Sequence, residues 1–197
     1  LSIISHVFKK AEQADIGEVF VATEDQEIVD DVTKNGGNAI LTSKNHKTGT
    51  DRIYEAFQII NSKDVDIILN LQGDEPAINI KDIIGLNKKM ISTQSKMGTL
   101  AAEIKNFKDL ENSNIVKVIT KKDLKEDQFS LAETFTRNTK NVENIYHHIG
   151  IYCYSSETLK KFVKLNQSKN EIENRLEQLR ALDNNIEINV ALASSSP

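Results

Sequence analysis

The chain has 197 residues, room for one α/β domain with a full core. Its 25 Lys and Arg against 29 Asp and Glu leave a formal charge of −4, which excludes a general basic footprint for nucleic acid. One cysteine excludes an internal disulfide framework, and no apolar run approaches membrane-spanning length, so a cytoplasmic protein with no membrane partner is expected.

Leu1 to Ala14 carries Ile3, Ile4, Val7, Phe8 and Ala11 at helical spacing, with Lys9, Lys10 and Glu12 opposite. Glu18 to Thr23 reads as a short buried strand, and Asp25 caps a helix that Gly36-Gly37 ends. Ala39 to Thr42 is the next strand. A polar loop from Ser43 follows, then a helix capped near Thr50 with Ile53, Ala56, Phe57 and Ile60 inward. Asp66 to Leu71 is almost wholly apolar, the pattern of a central parallel strand covered by helices on both faces. This alternation predicts right-handed βαβ units, and hence an α/β fold with a mostly parallel sheet.

After Pro76 the rhythm changes. Ile80 to Ser92 is helical, while Met97 to Ile104 and Ile115 to Thr120 are strand-like. Leu124 to Asn144 is polar and irregular, a candidate lid or dimer arm. Tyr146 to Tyr154 returns to strand, Ser156 to Leu165 and Asn170 to Leu182 to helix, and Ile186 to Leu192 to strand. No linker divides the chain, so residues 1–197 read as one domain. It starts inside a helix and stops just after a strand, and further sequence is expected on both sides.

Three stretches carry candidate chemistry. Gln72-Gly73-Asp74-Glu75-Pro76 ends the apolar strand with two carboxylates at the edge where α/β sheets bind ligands. They suit a divalent metal and a phosphate-bearing substrate, or else form a solvated turn. Thr48-Gly49-Thr50-Asp51-Arg52 sits at a loop-to-helix junction, where amides, hydroxyls and an arginine can hold a nucleotide or simply cap the helix. Glu177-Gln178 suits hydroxyl recognition, against the plainer reading of a solvated helix face. Adjacent His147 and His148 point to opposite faces of a strand, which is not zinc-ligand spacing, although His148 can bond a polar substrate. Cys153 reads as core packing.

Taken in order, these stretches resemble a known family. Ala22-Thr23, Thr48 to Arg52, Asn70 to Pro76, Asn114 to Val118, Ala132-x-x-Phe135-Thr136-Arg137, His148 to Tyr152 and Leu176 to Arg180 are similar to the 3-deoxy-manno-octulosonate (Kdo) cytidylyltransferases. The resemblance covers essentially the whole chain. It implies a Rossmann-like α/β fold of the nucleotide-diphospho-sugar transferase type with a smaller sheet or loop excursion, a homodimer, and an enzyme joining CTP to Kdo for lipopolysaccharide assembly with Mg2+ as cofactor. By the matches, Asp74 would hold the metal. Thr23, Thr48, Gly49, Thr50 and Arg52 would surround CTP. Gln72, Arg137, His148, Tyr152, Glu177 and Gln178 would face Kdo, with Arg137 on its carboxylate. The family's Arg-Leu-Pro-Gly-Lys phosphate loop and its Gly-Val-Asp-Thr segment do not occur in this stretch. The alternatives are a cytidylyltransferase for another acid sugar such as sialic acid, or a non-catalytic nucleotide-binding fragment.

Overall fold

Short polar side chains set the start of most helices, by accepting the amides that the first turn leaves unpaired. In the computed structural model, which describes residues 2–62, 64–73, 77–139 and 143–194 apart from the Phe107 side chain, Ser2 caps α1 (Ile3–Gln13) and Asp25 caps α2 (Gln26–Lys34). Thr48, not Thr50, caps α3 (Gly49–Ile60), its hydroxyl oxygen accepting the Asp51 amide at 3.3 Å. Thr50 lies inside the first turn and is buried. Asn79 caps α4 (Ile80–Thr93), Asn106 caps the short α5 (Phe107–Glu111), and Ser155 caps α6 (Ser156–Phe162).

The late helix expected over Asn170 to Leu182 is two helices, α7 (Lys169–Asn174) and α8 (Leu179–Asp183). Arg175 between them takes a left-handed backbone with φ 53° and ends α7, although no glycine or proline marks the break. Glu177 and Gln178 therefore stand in the connection rather than along a helix face.

The strands form two sheets. β1 (Val21–Thr23) and β2 (Ala39–Leu41) pair in parallel as a two-stranded sheet. The remaining strands are β3 (Ile67–Asn70), β4 (Met97–Glu103), β5 (Lys117–Thr120), β6 (Ser130–Thr136), β7 (Ile145–Ser155) and β8 (Asn189–Leu192). They form one sheet in the order β3-β7-β4-β8-β6-β5, with a further β7–β5 pairing. The α/β class holds, but the larger sheet is not mostly parallel. Only β4–β8 is parallel, and the other pairings are antiparallel. The apolar strand β3 is not central either: it stands at the edge and pairs antiparallel with β7.

An apolar run reports burial of both faces and says nothing of the neighbours' direction. The 11-residue β7 shows why. Its Tyr146 and Tyr154 join one core with Leu159, Phe162 and Leu179, while Ile149, Ile151 and Cys153 join another with Ile83, Leu86 and Met90. Helices thus cover both faces of a largely antiparallel sheet. Leu124 to Asn144, expected to be irregular, contains β6, whose Ser130, Ala132 and Phe135 are buried. Among the described residues no helix is long and apolar enough to cross a membrane.

Candidate functional site

The N-terminus of α3, the α7–α8 connection and one face of β7 meet at a group of buried polar side chains. Thr50, only 2% exposed, donates its hydroxyl to Glu177 Oε2 at 3.0 Å. Thr48 also hydrogen-bonds the Glu177 carboxyl, and Tyr154 on β7 shares the Thr50 hydroxyl. Burial pushes the Glu177 carboxyl up from its usual range, against the lowering effect of the Thr48 and Thr50 hydroxyls and of Arg180.

Behind Glu177 lies a buried ion pair. Arg180 holds Glu171 with both arms of its fork, Nε to Oε2 at 2.8 Å and Nη2 to Oε1 at 2.5 Å. Burial acts to raise the Glu171 carboxyl, but the bonds from Arg180, Gln167 and the Ser168 amide together with the Arg180 charge outweigh it and hold the group below the ordinary glutamate range. The Arg180 guanidinium also lies 4.8 Å from the Phe162 ring centroid and 3.8 Å from Glu177 Oε1. Glu171 completes a capping box with Ser168 at the start of α7, so the pair ties α7 to α8 and fixes the connection that carries Glu177.

On β7, His148 and Tyr152 share a face. Their rings lie 5.4 Å apart, and Phe135 meets His148 edge-on at 5.0 Å. Burial pushes the His148 imidazole down to about 3, so the ring is neutral at pH 7. Burial, with Tyr154 and Glu177 nearby, raises the Tyr152 phenol well above its usual value. Two buried oxygens among these groups, Tyr152 Oη and Glu177 Oε1, make no hydrogen bond within the described chain. An unbonded buried polar atom costs about 1–3 kcal/mol, so the pair is a candidate point of ligand contact.

The other expected site residues divide into three groups. Gln72, exposed just past β3, lies over Gly150, where an added Cβ would meet its Cγ at 3.7 Å, and this brings Gln72 to the His148–Tyr152 strand. A Cβ at Gly49 would meet open space, leaving the α3 N-terminus accessible. Gln178 is buried at the head of α8 and makes no capping bond there. Thr23 and Arg52 also make bonds within the scaffold. The Thr23 hydroxyl oxygen accepts the Asp25 amide at 3.1 Å. Arg52 donates to Thr42 Oγ1 at 2.8 Å and pairs with Glu24, bracing the ends of β1 and β2. Arg137 donates Nη1 to the Ser113 carbonyl at 3.1 Å, and its own carbonyl accepts the Lys117 ammonium at 2.8 Å. Asp74 lies outside the described residues. Among those described, no group of three or more His, Cys, Asp or Glu is arranged to hold a metal ion.

Sequence reasoning named Lys117 and Arg180 only within matched stretches, and passed over Thr99 and the contact of Glu171 with Arg180. Lys117 and Thr99 sit within apolar strands. The nine-residue spacing of Glu171 and Arg180 becomes a contact only because Arg175 breaks the helix.

Comparison with known proteins places the chain in one sequence family. The sequence model described as cytidylyltransferase matches residues 1–188. A relative named 3-deoxy-manno-octulosonate cytidylyltransferase, from Thermodesulfovibrio yellowstonii, is 42% identical over 96% of this chain and 79% of its own length. One from Bartonella henselae is 39% identical over 99% of the chain and 81% of its own. Among solved structures, CMP:2-keto-3-deoxy-manno-octonic acid synthetase complexed with CTP superposes with a TM-score of 0.85 at 32% identity, covering 98% of this chain and 79% of that one.

Proposed function

The chain belongs to the 3-deoxy-manno-octulosonate cytidylyltransferase family, and from that premise we propose that it transfers the cytidylyl group of CTP to Kdo, forming CMP-Kdo and pyrophosphate. The observation that carries this reading is the pair of unbonded buried oxygens, Tyr152 Oη and Glu177 Oε1, beside the α3 N-terminus. A polyhydroxylated acid sugar offers donors for a carboxylate oxygen and acceptors for a phenol, and α3 offers free amides to an anionic nucleotide.

In this reading the anomeric hydroxyl of Kdo attacks the α-phosphorus of CTP in line and pyrophosphate leaves. No covalent intermediate is needed, so the protein's work is positioning and charge neutralisation. Thr48, Gly49 and Thr50 lie along CTP. Glu177, Tyr152, His148, Gln178 and Gln72 contact the sugar hydroxyls, and Arg137 offers its guanidinium to the Kdo carboxylate. Arg52 and Thr23 lie on the CTP side, where they also hold β1, β2 and α3 together, and the Thr23 hydroxyl keeps a proton to donate.

We assign Mg2+ to Asp74. The resemblance supports this assignment, with a second carboxylate expected from the family's Gly-Val-Asp-Thr segment, and few carboxylates plus phosphate oxygens and waters suit the octahedral habit of this ion. When bound, the ion would neutralise charge on the triphosphate. A homodimer in the cytoplasm, supplying activated Kdo to lipopolysaccharide assembly, completes the reading on the family resemblance.

Phosphorus NMR of a reaction containing CTP, Mg2+ and either Kdo or sialic acid tests it. A new phosphodiester signal with Kdo alone is expected. Product with sialic acid instead overturns the substrate assignment, and none with either supports a non-catalytic nucleotide-binding role.

A further inference from the structure

Thr99 on β4 is fully buried where the β4–β7 ladder slips: Thr99 pairs with Tyr152, yet the next residue, Leu100, pairs with Ile149. The slip leaves Gly150 and Ile151 of β7 as a bulge, and the Thr99 side chain fills it. Its Oγ1 lies 2.6 Å from the Ile151 carbonyl, 3.3 Å from the Ile149 carbonyl and 3.0 Å from His148 Nε2. A carbonyl has no proton to give, so the single hydroxyl proton of Thr99 must lie on the short bond to Ile151. The bond to His148 then needs its proton from the imidazole. Nε2 is therefore the N–H nitrogen, and in the neutral ring Nδ1 carries a lone pair. The ring packs beside the unbonded Tyr152 phenol, their centroids 5.4 Å apart.

We propose that Thr99 is a positioning residue that locks His148 in its Nε2–H tautomer, making Nδ1 a fixed acceptor for a hydroxyl of the acid sugar. This rests on the Kdo reading of the site and sharpens it: His148 selects a hydroxyl donor and does not pair with the sugar carboxylate. Without the Thr99 hydroxyl, the imidazole N–H and the Ile151 carbonyl would both lose their partner, and the ring could turn its N–H toward the sugar.

Long-range proton–nitrogen NMR of the imidazole rings, together with steady-state kinetics on the whole chain, tests the proposal. The unaltered protein should show one neutral Nε2–H ring that does not titrate between pH 5 and 8. Thr99→Val should lose the single tautomer and raise KM for Kdo about tenfold, with KM for CTP unchanged. Thr99→Ser should restore both, and it also covers the case in which the valine variant fails to fold. An Nδ1–H ring in the unaltered protein overturns the proposal, as does a serine variant that behaves like the valine one or a valine variant that raises KM for CTP and Kdo alike. A chain that never turns over Kdo fails the substrate reading instead, and the ring spectrum still decides whether Thr99 sets the tautomer.

Discussion

Replacing Arg180 with methionine probes the support beneath the site. The side chain is 3% exposed, and its fork bonds a Glu171 carboxylate that is equally buried. Removing one member of such a pair leaves the other charge without a partner, which costs about 3–5 kcal/mol and is several times the worth of a surface pair. Replacing both, in Glu171→Met with Arg180→Met, removes the stranded charge and should recover at least half of that loss. Because Glu171 is held below the ordinary carboxylate range when folded, its share of stability is present above its unfolded pKa and lost as pH falls through the folded one. The gap between the unaltered protein and Arg180→Met should therefore narrow below about pH 4.5. Urea unfolding at pH 7 and pH 4 reads all three quantities. A single-variant loss under about 1 kcal/mol, or a double variant as unstable as the sum of the singles, would refute the buried-pair account.

Other expectations concern the site directly. Tyr152→Phe removes a buried hydroxyl that has no protein partner, so thermal stability should hold or rise while KM for Kdo increases about tenfold; a clear drop in melting temperature would contradict this. Glu177→Gln keeps the shape of the side chain but loses the charge that accepts the Thr50 hydroxyl, and pyrophosphate release should fall at least tenfold with little change in urea midpoint. Asp74→Asn should abolish turnover and its response to added Mg2+ while leaving unfolding unchanged, and undiminished turnover would remove the metal assignment. Burial pushes the Cys153 thiol up to about 12, so a thiol reagent at pH 8 should label the protein only after urea is added.

Much of the fold was legible because it is written in local chemistry. Asp25 and Gly36-Gly37 bracket α2, and the apolar spacing of Ile83, Leu86 and Met90 sets the inward face of α4. Strand direction was not legible. Ile67-Ile68-Leu69 looks the same at an antiparallel edge as in a parallel centre, because the covering helices determine the pattern. β6 escaped notice because Ser130-Leu131-Ala132-Glu133-Thr134-Phe135-Thr136 buries a serine and an alanine where a strand usually shows larger apolar residues. At the site, the residues that carry a recognisable motif, Thr48 to Thr50 and Glu177-Gln178, do converge, and His148 and Tyr152 share the neighbouring strand face. Arg52 was legible only in part. Its charge is legible in the sequence, but its pairing with Glu24 and Thr42 depends on where β1 and β2 end. Thr99 offers no signal at all within Met97-Gly98-Thr99-Leu100, since its importance arises from a bulge in the strand opposite.

The central claim is that the buried oxygens of Tyr152 and Glu177 receive Kdo while CTP lies at the head of α3. Coupled measurement of pyrophosphate release from CTP and Mg2+, with and without Kdo, tests it most directly. Release that requires Kdo, saturates with it and falls in both Tyr152→Phe and Glu177→Gln is the expected result. Release that proceeds equally without Kdo, or that both substitutions leave untouched, would contradict it.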